Sequence, residues 1–261
     1  MQVTHQRPCV LCLGGLDPSG GAGLQADIEA VAHCGGHALP IATCLTVQNS
    51  HKAYSVNATS KEIVQQQVEI LLEDMKISAC KIGVIPDQNI ALVISDILEQ
   101  LTGLPIVLDP VFSASHGVRF ADSSTLEIIQ ENILPQVTII TPNHAELNQL
   151  STAGQSIEEK AVMLCKSGPE YALVTGADTA SEYVTNYFAS QDKLIKSYTY
   201  PRLPHSYHGS GCTLSSTIAC QLAKQVAIHD AVEQAQDYTM QTLSNADQPG
   251  NGQYIPRRLP E

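Results

Sequence analysis

Apolar residues in this chain fall into short runs that alternate with stretches of helical spacing. The run Cys9 to Leu16 breaks into Asp17-Pro-Ser-Gly-Gly-Ala-Gly, and helical spacing follows from Leu24 to about Cys34. That order predicts a strand, a glycine-rich turn and a helix. Ala38 to Val47 and Ala53 to Ala58 read as strands. Lys61 to Met75 reads as an amphipathic helix with Ile63, Val64, Val68, Leu71 and Leu72 on one face. The alternation repeats through strand Ala79 to Gly83, helix Asn89 to Leu101, strand Pro105 to Leu108, helix Ser124 to Glu131 and strand Val137 to Ile140. Helices near Ala145 to Leu150 and Ile157 to Lys166 precede strand Tyr171 to Thr175. Glu182 to Phe188 and Lys193 to Tyr200 read as an edge hairpin, and helices Gly211 to Lys224 and His229 to Leu243 follow.

Helices between strands supply the crossovers that parallel pairing needs, so the pattern predicts an α/β fold: a mostly parallel sheet with helices on both faces. No repeat, linker or low-complexity segment divides the chain, and a single domain over 1–261 is expected.

Composition narrows the function classes. Hydrophobic residues make up 43%, which excludes a disordered or collagenous chain, and no apolar run approaches a membrane span. Met1 to Arg7 is polar and lacks the order of a signal peptide, so the eight cysteines read as thiols in a reducing cytoplasm. The 26 acidic residues against 14 basic ones give a formal charge of -12, which disfavours broad nucleic-acid or anionic-membrane surfaces. Any phosphate must be held locally, by backbone amides, helix ends and metal ions.

In open α/β sheets ligands sit beyond the carboxyl ends of the strands, so the residues just after each strand carry the candidate chemistry. Gly14, Gly15, Gly20, Gly21 and Gly23 lead into the first helix, where glycines let a ligand approach the backbone and the helix start offers free amides. The run is neither a Walker A loop nor a dinucleotide fingerprint, and it also fits a tight turn without ligand. Asp109-Pro follows one strand and Thr-Pro-Asn-His-Ala-Glu (141–146) the next. Asn143 and Glu146 share a face at a predicted helix start. They suit a water-rich Mg2+, and equally a capping box; both readings can hold together.

Gly209-Ser-Gly-Cys-Thr-Leu-Ser-Ser opens the next-to-last helix. Consecutive small residues at the positive end of a helix dipole suit a transferring phosphoryl group. Cys212 falls in the first turn, where the helix start is expected to raise its thiolate fraction above the roughly 3% of a free cysteine at neutral pH. A small buried packing residue is the other reading. Cys9 and Cys12 lie three apart in a strand and point to opposite faces, so a shared metal is not expected. His205, His208 and Cys212 lack a further ligand at a standard spacing, and His208 reads as a loop residue beside the anion site. Arg257 and Arg258 read as a solvated tail.

Six ordered stretches carry a family resemblance: Gly-Leu-Asp-Pro-Ser-Gly-Gly-Ala-Gly-Leu-Gln-Ala-Asp (15–27), Thr-Val-Gln-Asn (46–49), Lys-Ile-Gly (81–83), Leu-Asp-Pro-Val (108–111), Thr-Pro-Asn-x-x-Glu (141–146) and Gly-Ser-Gly-Cys-Thr-Leu-Ser (209–215). Together they resemble hydroxymethylpyrimidine/phosphomethylpyrimidine kinases of thiamine biosynthesis, over nearly the whole chain. The resemblance implies a three-layer α/β/α ribokinase-like fold with an edge hairpin and a small β flap. It implies phosphorylation of 4-amino-5-hydroxymethyl-2-methylpyrimidine and then of its monophosphate, with ATP as co-substrate and Mg2+ as cofactor. Position by position, Gln48 would bind the aminopyrimidine edge, with Asp27, Gly23 and Val84 lining that pocket. Gly209, Ser210 and Gly211 would form an anion hole, Cys212 the catalytic base or relay, and Asn143 with Glu146 the Mg2+ region. Asn143, Thr175 and Gly176 would border ATP. Members often carry lysine where this chain has Thr175 and Gln236, so the implied burden on Mg2+ and the helix end is larger. The flap, from Ala38 to Ala58, would also offer a homodimer surface. A pyridoxal or pyridoxine kinase and a catalytically weak pyrimidine-binding relative are the alternatives.

Overall fold

In the strand Cys9–Leu16 (β1), Cys9, Leu11 and Leu13 enter one hydrophobic core while Val10 and Cys12 enter a second on the other face. A strand apolar on both sides is the mark of a sheet covered twice. The computed structural model describes residues 7–113, 120–151, 153–177 and 180–259; most of the polar opening stretch, 1–6, lies outside them.

β1 pairs in parallel with β2 (His37–Gln48) and β4 (Ile77–Ile82). The parallel pairing continues through β5 (Ile106–Leu108), β6 (Ile139–Ile140) and β7 (Tyr171–Val174). β3 (Ala53–Ala58) folds back antiparallel on β2 at one edge. At the other edge β8 (Tyr183–Ser190) and β9 (Leu194–Pro201) form the expected hairpin. The described residues thus give a nine-stranded sheet in the order β3-β2-β1-β4-β5-β6-β7-β8-β9.

The helices α1 (Gly23–His33), α7 (Ser210–Ala223) and α8 (Ile228–Ser244) cover the face of Val10 and Cys12. They contribute Leu24, Val31, Ile218, Val232 and Ala235 to its core. The opposite face packs against α2 (Lys61–Asp74), α3 (Gln88–Gln100), α5 (His144–Leu150) and α6 (Ile157–Lys166). This is the three-layer α/β/α arrangement expected. One predicted helix is broken: α4 (Ser123–Ile128) widens into a π turn, Ile129–Ile133, and tightens into a 3-10 turn, Leu134–Gln136. Pro135 has no N–H to donate to the carbonyl four residues back, so α-helical winding cannot continue.

The helix starts divide into two kinds. Helices α2 to α6 each begin with a side-chain cap, from Ser60, Asp87, Asp122, Asn143 and Ser156. α1 begins at Ala22 and α7 at Gly209, and neither has a side-chain cap. Their first amides are left for something else. α8 also starts uncapped, at Ala227, which lines neither of the cavities described next.

Candidate active site

The carboxyl ends of β1, β4, β5 and β6 and the starts of α1, α5 and α7 surround a cleft of about 370 Å³. A second cavity of about 250 Å³ adjoins it, between the β8–β9 hairpin, α7 and α8. The two share Thr175, Ala177, Tyr207, Ser210 and Gly211, so they meet at the first turn of α7. Around the first cleft stand charged and polar groups, including Asp17, Gln48, Lys81, Asp109, Asn143 and Glu146. The second is walled largely by Val184, Tyr200, Leu214, Met240 and Leu243, with Arg202 and Gln236 on its border.

Two glycines shape the meeting point. Gly209 has φ of 82°, and a Cβ there would fall 2.1 Å from the Gly21 carbonyl. Gly23 has φ of 58°, and its Cβ would fall 2.2 Å from the Gly15 carbonyl. Only glycine fits either place, and the fit brings the starts of α1 and α7 together. Both dipoles direct positive potential at one spot. The turn before α1 is organised by the buried Asp17, which accepts from Ser19 N at 2.8 Å, Ser19 Oγ at 2.7 Å and Ala22 N at 2.9 Å. His208 Nε2 lies 2.8 Å from Oδ2, the oxygen that also accepts from Ala22 N, and ties the turn to the loop before α7. Burial alone would raise the Asp17 carboxyl, but the hydrogen bonds from His208 and Ser19 bring it down to about 2.

Gly209, Ser210, Gly211 and Cys212 all line the polar cleft, and so do Gln48, Gly23, Val84, Thr175, Asn143 and Glu146. Cys212 lies in the first turn of α7, as expected. The expectation of an activated thiolate is overturned: burial of the thiol, reinforced by Asp109 and Asp27, pushes it up to about 12 against the opposing pull of Lys81 and the Gly23 N–H. Low dielectric around the sulfur outweighs the helix end.

Asp27 does not line the cleft. It is completely buried beneath it, where its Oδ1 accepts from Lys81 Nζ at 2.8 Å and Ser216 Oγ at 2.6 Å. Its Oδ2 has no partner and faces Gly14, whose Cβ would lie 3.4 Å away. Gly176 also lies outside both cavities: its N–H donates to Asn186 Oδ1 at 3.0 Å, and a side chain there would meet the Thr185 carbonyl at 2.3 Å. The reading of a solvated tail fails at Arg258, while Arg257 is exposed. Arg258 is buried, and Arg257 pairs with Asp247 at 2.8 Å.

Lys81 and Asp109 stand in the motifs of the sequence, which gave neither a role. Lys81 reaches the polar cleft from a strand interior. Burial alone would discharge it, but Asp27 foremost, with Asp109, holds its ammonium charged. Asp109 is buried too, which raises its carboxyl against the pull of Lys81 and hydrogen bonds from Ser215 and Cys212. The available signal was a lysine inside the apolar run Ile77–Ile82, since a buried cation needs a partner.

At α5 the capping-box reading of Asn143 and Glu146 holds. The capping box is complete, with Glu146 N to Asn143 Oδ1 at 2.9 Å and Asn143 N to Glu146 Oε2 at 2.8 Å. The pair also borders the cleft beside Thr141 and Asp109. Oxygen donors on one wall suit Mg2+, which keeps most of its waters and needs no protein cage. Among the described residues no three His, Cys, Asp or Glu side chains gather as a metal cluster. His205 instead stacks on Tyr254 at 3.9 Å. The lysine-free positions hold neutral contacts: Gln236 Oε1 accepts from Asn186 Nδ2 at 2.9 Å, and Thr175 N donates to the Pro142 carbonyl at 2.8 Å.

Two cavities joined at an uncapped pair of helix starts, on a sheet of this order, define a phosphotransferase of the ribokinase-like class. Solved structures agree on the fold. The ADP complex of Bacillus subtilis pyridoxal kinase overlays with a TM-score of 0.87 at 21% identity, covering 97% of this chain and 98% of that one. Phosphomethylpyrimidine kinase from Clostridium difficile overlays at 0.78 with 26% identity, covering 91% and 100%. The family model described as phosphomethylpyrimidine kinase matches residues 17–257, and the chain belongs to that family. The hydroxymethylpyrimidine/phosphomethylpyrimidine kinase of Streptomyces coelicolor is 31% identical, across 94% of this chain and 92% of its own length. That of Rhizobium meliloti is 32% identical, across 93% of each. The chain spans 45% of the probable thiamine biosynthetic bifunctional enzyme of Oryza sativa, with 31% identity.

Proposed function

We propose that the chain transfers the γ-phosphoryl group of ATP to the hydroxymethyl oxygen of 4-amino-5-hydroxymethyl-2-methylpyrimidine, and then phosphorylates the monophosphate to the diphosphate. The observation that carries this reading is the meeting of a polar and an apolar cavity at Ser210 and Gly211, in the first turn of α7. The pyrimidine occupies the polar cleft between Gln48, Val84 and Gly23. The Gln48 amide both donates and accepts, as an aminopyrimidine edge requires, and among the described residues it is committed to no other side chain. The apolar cavity takes the adenine ring, and Thr175 lies on the wall between.

In-line transfer then passes over the start of α7, whose free amides face the moving charge. Asn143, Glu146 and Asp109 would hold Mg2+ through water, and the ion would neutralise the phosphates it bridges. Because the thiol is protonated at neutral pH, Cys212 acts as a relay. It takes the hydroxyl proton while passing its own to the Asp109 carboxylate, which shares the cleft with it.

Leu45 and Val47 point outward from the flap strand β2 and are 51% and 55% exposed, near the exposed Leu16. This apolar patch supports the homodimer reading. Free thiols at all eight cysteines support a cytoplasmic one. Among the described residues no helix is long and apolar enough to cross a membrane.

The closer overlay with pyridoxal kinases favours a pyridoxal kinase as the second reading. Incubation with Mg-ATP and each acceptor, with product mass as the readout, separates them. A mass gain of one and then two phosphoryl groups on the pyrimidine is expected. Preferred phosphorylation of pyridoxal selects the second reading, and no ADP formation with either acceptor leaves only a binding protein.

A further inference from the structure

We propose that Arg258 is a positioning residue for phosphoryl transfer, holding the amide cradle at the start of α7 from behind. Its side chain is fully buried. Nε donates to Thr213 Oγ1 at 2.7 Å, and Nη2 to the Gly21 carbonyl at 2.5 Å and, more weakly, to the Gly209 carbonyl at 3.5 Å. Nη1 reaches Glu29 Oε2 at 3.2 Å. These partners belong to the glycine-rich turn, to α1 and to the start of α7, the three segments that meet at the cradle.

The Gly209 carbonyl shares its peptide with the Ser210 N–H, the first amide of the cradle. A donor on that carbonyl fixes the peptide plane and polarises its N–H. Thr213 completes the brace, since its Oγ1 accepts from Arg258 while donating to the same Gly209 carbonyl at 2.8 Å. A planar fork can serve acceptors that diverge in this way, whereas an ammonium cannot.

The brace is itself anchored. Tyr238 Oη donates to the Arg258 carbonyl at 2.6 Å and its ring stacks on His33 at 4.3 Å. In the same segment, the Tyr254 carbonyl accepts from His208 N at 2.8 Å and so fixes the loop leading to Gly209. A buried cation thus stands behind the anion site in a chain whose Thr175 and Gln236 offer none at the ATP side.

The proposal rests on the reading of the Ser210–Cys212 amides as the phosphoryl cradle, and the test separates the two. Arg258→Lys and Arg258→Met are assayed for kcat, pyrimidine KM and melting temperature. The structure predicts a fall in kcat of tenfold or more in folded protein, with pyrimidine KM within threefold and Lys rescuing little. Folded Arg258→Met with parental kcat overturns it, as does a loss of kcat that tracks only the folded fraction. If both variants fail to fold, Thr213→Val keeps the cation and removes one acceptor; a kcat lowered threefold or more supports the proposal and an unchanged one overturns it. Binding of ADP with beryllium fluoride and the pyrimidine is measured alongside. A parent that forms no such complex overturns the cradle reading and the proposal with it. A parent that forms it no better than Arg258→Met overturns the proposal alone.

Discussion

Two helix starts face the same cleft and are built in opposite ways. α5 closes on itself, because Asn143 and Glu146 satisfy each other's backbone amides within one turn. α7 begins with glycine, serine and glycine, has no side-chain cap, and is braced by residues distant in sequence, Gly21 and Arg258. The first satisfies its own opening amides, and Glu146 also borders the cleft. The second has no side-chain cap among the described residues, and amides left open at a helix start suit an anion.

The comparison breaks most severely at Gly209. Gly209→Ala puts a methyl within 2.1 Å of the Gly21 carbonyl and 2.9 Å of Ala22 Cα, at a φ of 82°. Backbone strain and overpacking together cost about 2–4 kcal/mol, and the cradle must open to relieve them. A lowered melting temperature and a kcat reduced by more than about 10²-fold are expected, since the cradle amides lose their aim. Parental kcat in this variant would show that the open start of α7 is not where phosphate charge is held.

Cys212 comes next. Cys212→Ala should lower kcat by roughly 10²-fold, near the bottom of the range for proton-transfer groups, with pyrimidine binding nearly unchanged. The pH profile sharpens the point. With the thiol pushed up to about 12, thiolate grows only above the assay range, so kcat/KM, which reports the free enzyme, should show no ionisation near 8.5. A break there that vanishes in Cys212→Ala would mean that the helix end offsets the burial of the thiol, and one well below 8.5 that it activates it.

The contrast also explains what the sequence could disclose. Strand and helix positions were legible because each apolar run or face lies in a core: β3 and α6 begin and end at the residues the pattern names. The capping box was legible because its partners are three residues apart. Contacts that join distant segments were not. Asp27 looked like a pocket residue because nothing local reveals Lys81, 54 positions away, as its partner. Arg258 looked like a solvated tail because its acceptor at Gly21 is 237 positions away. The π turn after α4 had a local sign in Pro135, which the helical spacing of Ser124 to Glu131 concealed.

At α5 two substitutions pull apart the cap and the charge. Glu146→Gln keeps an acceptor for the Asn143 N–H, so the melting temperature should hold, but it removes the carboxylate next to the metal region. If that charge serves Mg2+, the Mg2+ concentration for half-maximal rate rises by about tenfold to a hundredfold, the scale of one charge-assisted hydrogen bond. An unchanged Mg2+ dependence would reduce Glu146 to a capping residue.

Asn143→Ala gives the smallest effect expected and isolates the cap. It removes the side-chain acceptor of Glu146 N, a loss of about 1 kcal/mol for a helix of this kind. Denaturant unfolding should register that loss with an unchanged slope, because no large surface is newly exposed in either state. Activity at saturating Mg2+ should fall by less than a tenth of the Gly209→Ala effect on a logarithmic scale, since Glu146 keeps its charge and α7 keeps its open start. A collapse of activity in folded Asn143→Ala would make the Asn143 amide a ligand in its own right, and α5 would no longer be the closed counterpart of α7.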